Sequence, residues 1–219
     1  MPAARYADRR DAGRVLAAAL AGRADASALV LGLPRGGVVV AAQVSAVFGA
    51  ELDALVVRKL GVPGHPELAM GAIAAVGSAL ETVWVEPVVE QVAPDPGAVA
   101  AVRERELLEL RRRSAAYRGN RPPPAVDGRH VVLVDDGLAT GATVRVAIQA
   151  LRAGGPARVT VAVPVASPSA LARLAASVDE LVCPHAPDGF RSVGQAYADF
   201  SETTDDEVVD ALGRGGVVS

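Results

Sequence analysis

Lysine is almost missing from this 219-residue chain: of 22 basic residues only Lys59 is not arginine, so a single ammonium is left in place. Cysteine is as scarce. Cys183 alone rules out an internal disulfide and a multi-cysteine zinc cluster, and it fits a reducing, cytoplasmic compartment. Aromatic residues amount to 3%, so the core must be built from Ala, Val and Leu, whose small volumes favour close packing of helices on a sheet. Positive charge is not in excess either. With a formal net charge of -3 there is no whole-protein field to hold nucleic acid without sequence preference. No apolar run approaches the ~18 residues a membrane span requires. The stretch Val15 to Gly22 looks like a short signal core, but Asp8 and Asp11 precede it and Arg14 and Arg23 flank it. An ordinary helix over 8–22, capped by Asp8, explains it better.

What is present is 51% hydrophobic and 21% charged, as suits a folded chain of one large or two small domains. Short runs rich in Val and Leu, each followed by a Gly- or Pro-containing turn and a helical pattern, predict a mostly parallel α/β sheet flanked by helices. The expected strands are Ala28 to Leu33, Leu52 to Val57, Val131 to Val134, Val159 to Val163 and Asp179 to Cys183. Between them, Arg58 to Gly71 holds three glycines and two prolines and reads as a long mobile loop. Ile73 to Val76 and Leu80 to Val85 read as a hairpin at the sheet edge. Asp95 caps a charged helix expected over 96–117, whose mixed charges suit a solvated face laced with Glu/Arg pairs. Thr204 with Glu207 forms a capping box for a final helix, followed by a Gly-rich tail expected to fray. The whole of 1–219 reads as one domain with its core at about 28–183.

Chemistry concentrates in Val131-Val-Leu-Val-Asp-Asp-Gly-Leu-Ala-Thr-Gly-Ala-Thr143. Two adjacent carboxylates at the end of a buried strand repel each other and must both be desolvated, so such a pair usually serves a polar ligand. The glycine and threonine loop after them opens a helix and offers backbone N–H groups and hydroxyls to an anion. Two carboxylates for vicinal hydroxyls, with a phosphate cradle beyond, have the shape of a ribose 5-phosphate site. Walker B strands and receiver domains also end apolar strands in Asp-Asp. The first needs a G-x-x-x-x-G-K-[ST] loop that the chain lacks, and the second places its pair near the N-terminus.

This segment resembles the phosphoribosyl-pyrophosphate (PRPP) motif of type I phosphoribosyltransferases. The match implies that Asp135 and Asp136 take the ribose hydroxyls and that Leu138, Ala139, Thr140, Gly141, Ala142 and Thr143 hold the 5-phosphate. Leu33-Pro34-Arg35-Gly36-Gly37 resembles the pyrophosphate loop of the same family, with Arg35, Gly36 and Gly37 as ligands and a cis bond at Pro34-Arg35. Arg58-Lys59 resembles a pyrophosphate-binding pair ahead of a mobile catalytic loop, which also carries His65 and Glu67. The isolated lysine thus falls at an expected phosphate site. Three motifs at three strand ends converge on one crevice, since parallel sheets bind ligands beyond the carboxyl ends of their strands.

The resemblance implies a Rossmann-like domain that transfers ribose 5-phosphate from PRPP to a nitrogenous base, or the reverse, through an oxocarbenium-like transition state. It is closest to stand-alone bacterial members without an assigned base. Asp135, Asp136, Arg58 and Lys59 are the candidate catalytic residues. Mg2+ is the implied cofactor, held by PRPP and waters near Asp135 and Asp136 rather than by protein ligands. A small C-terminal hood that chooses the base is expected over 183–200, where Phe190 or Tyr197 could stack on a ring or simply fill the core. The charged helix departs from familiar salvage enzymes of the family and leaves acceptor and oligomeric contacts open, a homodimer among them. A PRPP- or nucleotide-sensing regulator without transferase chemistry is the alternative from another class.

Overall fold

The computed structural model describes residues 5–215; the Gly-rich tail expected to fray falls largely beyond them. Helix α1 (Arg9–Ala19) starts at Asp8, whose carboxylate accepts the Asp11 N–H at 2.7 Å. Leu16, Ala17 and Leu20 turn one face of the helical segment inward. Strand β1 (Leu29–Gly32), helix α2 (Gly36–Phe48) and strand β2 (Glu51–Ala54) follow as one β-α-β unit, and Gly49 ends α2 in the left-handed conformation at φ 64°. Later come β6 (His130–Val134), α5 (Ala142–Ala153), β7 (Arg158–Ala162), α6 (Pro168–Leu174), β8 (Glu180–Val182) and α7 (Asp205–Gly215). The five strands β2-β1-β6-β7-β8 form one parallel sheet in that order.

Every residue of β1 is buried, because helices cover both faces of the sheet. Leu29, Leu31, Val131 and Leu133 pack toward α5 and α6, while Val30, Val132 and Val134 pack toward α1, α2 and α7. The near-continuous apolar strands therefore still obey the two-residue alternation of a pleated chain. Each fully buried Val or Leu contributes about 1.5–3 kcal/mol. Thr204 and Glu207 cap α7 reciprocally: the Glu207 N–H donates to the Thr204 hydroxyl at 3.2 Å and the Thr204 N–H to Glu207 at 2.8 Å.

The stretch from 58 to 71 corrects the expected loop. It is two strands, β3 (Val57–Val62) and the first half of β4 (His65–Val76), which pair antiparallel and continue into β5 (Ala79–Trp84). The hairpin expected near 73–85 is real, but it belongs to this separate three-stranded sheet rather than to the edge of the parallel one. The glycines that suggested a loop mark close approaches instead. A Cβ on Gly61 would lie 2.6 Å from the Pro66 carbonyl, and one on Gly71 would lie 2.6 Å from that of Val83. Register shifts beside Gly61 and a positive φ of 79° at Gly64 let the strand turn back. Consequently β2 stops at Ala54, and Arg58 and Lys59 sit inside β3 rather than at the end of the second parallel strand.

After the unexpected short helix α3 (Glu86–Val92), the charged helix α4 (Pro96–Arg118) runs close to its expected span, with Asp95 accepting the Ala98 N–H at 2.8 Å. Its solvent face carries the expected pairs, Glu109 bridging Arg112 and Arg113. It also has a buried side, where Leu110 joins Leu60, Val62 and Met70 of the small sheet.

Candidate functional site

Asp135 and Asp136 follow the four buried apolar residues that end β6. The Asp136 N–H donates to Oδ1 of Asp135 at 2.9 Å. Oδ2 of Asp136 accepts from Nε of Arg9 at 2.8 Å, and the side chains of Arg9 and Asp136 are 12% and 17% exposed. The Tyr197 hydroxyl donates to the Asp136 carbonyl at 2.5 Å. Each carboxyl thus has one oxygen committed. The other two, Oδ2 of Asp135 and Oδ1 of Asp136, have no partner among the described residues and are not sealed from solvent, unlike the truly enclosed Oδ1 of Asp53. Two neighbouring acceptors left open at a strand end are what a vicinal diol requires.

Burial, reinforced by the Asp136 charge, pushes the Asp135 carboxyl well above its usual range, against the opposing pull of the Asp136 N–H and Arg9. Asp136 is also raised by burial, although its bond to Arg9 and the Arg9 charge work the other way. Desolvation therefore outweighs one ion pair.

The turn from β1 into α2 lies directly against these carboxyls. Its Pro34–Arg35 peptide bond is cis, as the resemblance implies. A Cβ on Gly36 would fall 2.0 Å from Oδ2 of Asp136 and 2.6 Å from Nε of Arg9; one on Gly37 would fall 2.8 Å from the Val134 carbonyl and 3.0 Å from Oδ1 of Asp135. Only residues without a side chain fit there. Arg35 is paired with Glu202, which is 80% exposed.

Beyond the carboxyls, Leu138 bridges to Ala166 through its N–H to the Val165 carbonyl and its carbonyl to the Ser167 N–H, both 2.9 Å. The Ser167 hydroxyl donates to the Ala139 carbonyl at 2.8 Å, and Nη2 of Arg173 to that of Thr140 at 3.2 Å. Three successive carbonyls of the loop are therefore tied back into the protein, while Ala139, Thr140, Ala142 and Thr143 remain exposed. Gly141, at φ 74°, turns the chain into α5, whose first N–H groups have no intrahelical acceptor. A loop with three of its carbonyls occupied and the start of a helix exposed beyond them suits an anion.

The structure thus brings Gly36 and Gly37 against Asp135 and Asp136, with the Leu138 to Thr143 loop following in the chain, while the Arg35 side chain is turned to Glu202. Arg58 and Lys59 are placed elsewhere. They line a cavity of about 520 Å³ between the β3–β4 hairpin and α4, together with Glu67, Arg105 and Glu106. Arg58 donates twice to Oε2 of Glu106, at 3.0 and 2.7 Å, and Lys59 lies 3.6 Å from Glu67. His65 and Glu67 are exposed at the hairpin tip.

In the expected hood, Tyr197 is core rather than a stacking surface: it is 5% exposed, its hydroxyl is engaged, and its ring packs against Tyr6 and Phe200 at centroid distances of 5.6 and 4.9 Å. Phe190 is half-buried beside the same cluster. The residue missed from the sequence is Arg9. Its signal is helical phase, since Arg9, Ala12, Leu16 and Leu20 recur at spacings of three and four and so place an arginine on the apolar face of α1.

A parallel α/β sheet with an acidic strand end and a glycine turn packed together at its carboxyl edge places the chain in the doubly wound α/β class, with its candidate site where such sheets bind ligands. The family model described as "Phosphoribosyl transferase domain" matches residues 9–200, and the chain belongs to that family. A Mycobacterium tuberculosis protein named provisionally as a phosphoribosyl transferase is 47% identical over 209 residues, covering 95% of this chain and 46% of its own length. The chain therefore spans about half the length of that curated relative. The crystal structure of the protein TT1426 from Thermus thermophilus superposes with a TM-score of 0.82 at 47% identity, covering 95% of this chain and 97% of that one.

Proposed function

We propose that this chain binds PRPP and transfers its ribose 5-phosphate to a nitrogenous base. The observation that carries the reading is the pair of open carboxylate oxygens, Asp135 Oδ2 and Asp136 Oδ1, followed in the chain by a loop whose residues 139, 140, 142 and 143 are exposed at the start of α5. The carboxylates would accept the two ribose hydroxyls, and Ala139 to Thr143 would hold the 5-phosphate; Leu138, expected among these ligands, is buried with its N–H and carbonyl both engaged by Val165 and Ser167. Arg35 would turn from Glu202 to the pyrophosphate, an exchange that costs little because exposed ion pairs contribute only about 0–1 kcal/mol.

Departure of pyrophosphate leaves positive charge on the sugar, so the residues needed are those that fix the ring, neutralise the leaving group and exclude water. No covalent nucleophile enters this scheme. Arg58 and Lys59 join it through closure of the β3–β4 hairpin, which would exchange Glu106 and Glu67 for pyrophosphate oxygens. Among the described residues no group of three or more His, Cys, Asp or Glu is arranged to hold a metal. The acidic surroundings of Asp135 and Asp136 suit a Mg2+ carried by PRPP and water near them, which when bound would neutralise the diphosphate. With Tyr197 committed to the core and Phe200 packed against Tyr197 and the Arg9 guanidinium, Phe190 is the aromatic of 183–200 left for contact with a base. No described helix is long and apolar enough to cross a membrane; a cytoplasmic site of action and a homodimer are further parts of this reading.

Calorimetry with PRPP and Mg2+, followed by a panel of bases assayed for pyrophosphate release, tests it. Binding with turnover of one base is the expected result. Binding without turnover of any base would assign the chain to the sensing regulators, and no binding would remove both readings.

A further inference from the structure

Arg9 is a buried cation drawn from a helix that none of the sequence motifs includes. Its guanidinium is held on three sides: Nε donates to Oδ2 of Asp136 at 2.8 Å, Nη1 to the Ser201 carbonyl at 2.7 Å, and Cζ lies 4.1 Å from the centroid of the Phe200 ring. A simple structural anchor could have used any surface acceptor. This arginine instead takes one named oxygen of one of the two carboxylates that face the ligand, and leaves the other oxygen open. Gly36 seals the arrangement, because the space a Cβ would need is filled by Asp136 Oδ2 and Arg9 Nε. The carboxylate can therefore rotate neither toward the glycine turn nor away from it without breaking the arginine bond.

We propose that Arg9 is a positioning residue, which holds Asp136 in one orientation so that its free oxygen meets a ribose hydroxyl; the inference rests on the PRPP-site reading given above. The charged and titratable groups around Asp136 are few. Asp135 adjoins it in the chain, Arg9 reaches it from α1, the Tyr197 hydroxyl meets its carbonyl, and Tyr6 stands behind Tyr197. Asp199 and Glu207 come near Arg9 from the C-terminal segment. Arg9 is thus the one cation touching either carboxylate among the described residues. A fixed acceptor matters most for a ligand that presents hydroxyls at a set distance from its phosphate. For a ligand with the same phosphate and no ring hydroxyl it should matter little. Arg9 accordingly acts on sugar recognition and leaves the anion cradle alone.

The test compares two ligands, ribose 5-phosphate and tetrahydrofurfuryl phosphate, which keeps the ring and the phosphate but has no ring hydroxyl. Dissociation constants are measured for the whole chain and for Arg9→Gln and Arg9→Lys. The unsubstituted chain should prefer the sugar. Arg9→Gln should weaken ribose 5-phosphate by about tenfold or more, the effect expected on losing a well-placed charge-assisted hydrogen bond, and leave the hydroxyl-free phosphate within about twofold. Arg9→Lys, which keeps the charge but lacks the planar fork, should recover part of the preference. Equal weakening of both ligands, or no change in either, would overturn the proposal. If Arg9→Gln does not fold, Arg9→Lys decides alone: a reduced preference at an unchanged melting temperature supports positioning, and an undiminished preference or parallel loss of both ligands sinks it. Failure of the unsubstituted chain to prefer the sugar would instead count against the PRPP site itself.

Discussion

The backbone of Gly36 passes so close to Asp136 that a methyl group on it would sit 2.0 Å from the carboxylate oxygen held by Arg9. The glycine turn and the acidic strand end are thus one mechanical unit, although they lie far apart in the chain. Gly36→Ala must displace Asp136, Arg9 or the turn itself, and overpacking of this kind costs about 1–3 kcal/mol. The variant should therefore melt lower and bind PRPP far more weakly. Gly49→Ala is the control: at the end of α2 its added methyl meets nothing within 4 Å, and its cost is the positive φ of 64° alone, so PRPP affinity should be kept. Intact PRPP affinity in Gly36→Ala would show that the two segments are not coupled.

Asp135→Asn should raise stability while weakening ligand binding. Burial and the neighbouring charge lift this carboxyl well above its ordinary value of 3.8, so the native chain holds its proton more tightly than the unfolded chain does. Stability then declines as pH rises through the interval between those two values, and stays reduced above it. Asparagine keeps an oxygen for the Asp136 N–H and carries no charge to desolvate. At pH 7 the variant should melt higher, by ~2–4 °C for each ~1 kcal/mol recovered, and the gain should vanish in acid. Its affinity for PRPP should fall by the ~1.5–3 kcal/mol of a charge-assisted hydrogen bond. Scanning calorimetry at two pH values with titration calorimetry checks both signs, and a lower melting point at pH 7 would contradict the electrostatic account.

The parts of this molecule visible in the sequence are those whose determinants are local. Val131 to Val134 is a buried strand because both faces are covered, and the acidic pair, the glycine turn into α5 and the Thr204–Glu207 capping box are each written within a few consecutive residues. The β3–β4 hairpin was hidden because Gly61 and Gly71 serve close backbone approach, while the same residue type more often signals a loop. Arg9 was hidden for a different reason. Its bond to Asp136 spans 127 positions, and the Arg35–Glu202 pair spans 167, so no window of sequence contains either. Arg58 shows the converse: its place beside Lys59 suggests a shared ligand, and the two line one cavity, yet Glu106 of α4 engages only the arginine of the two.

That difference predicts distinct outcomes for two neighbouring substitutions. Lys59 is 49% exposed and its partner Glu67 is 97% exposed, so their contact at 3.6 Å adds almost nothing to stability. Lys59→Ala should leave the melting temperature in place and lower the rate of pyrophosphate release. Arg58→Ala removes both hydrogen bonds to Oε2 of Glu106, which is 13% exposed, and leaves it only the exposed Arg105 at 3.2 Å on Oε1. It should destabilise by about 1–3 kcal/mol as well as slow turnover. Equal losses of stability in the two variants would mark Lys59 as structural.

Arg118, the last residue of α4, donates through Nε and Nη2 to Oδ2 of Asp53 at 2.9 and 2.6 Å, and the Asp53 side chain is only 5% exposed. The other oxygen of Asp53 is buried with no partner among the described residues, beside a void of about 10 Å³ that can take at most a single water. Removing the arginine would leave a desolvated carboxylate with nothing to offset it, a change that typically costs about 3–5 kcal/mol. Arg118→Ala should accordingly unfold well below the parent chain, and pairing it with Asp53→Ala should recover much of the loss. Neither residue touches the carboxylates, the glycine turn or the phosphate loop, so PRPP affinity measured below the melting temperature should be unchanged. A loss of affinity in the folded variant would mean that α4 transmits to the sugar site, through the β1–β2 pairing of Leu31 with Asp53 that leads by way of Gly32 into the glycine turn.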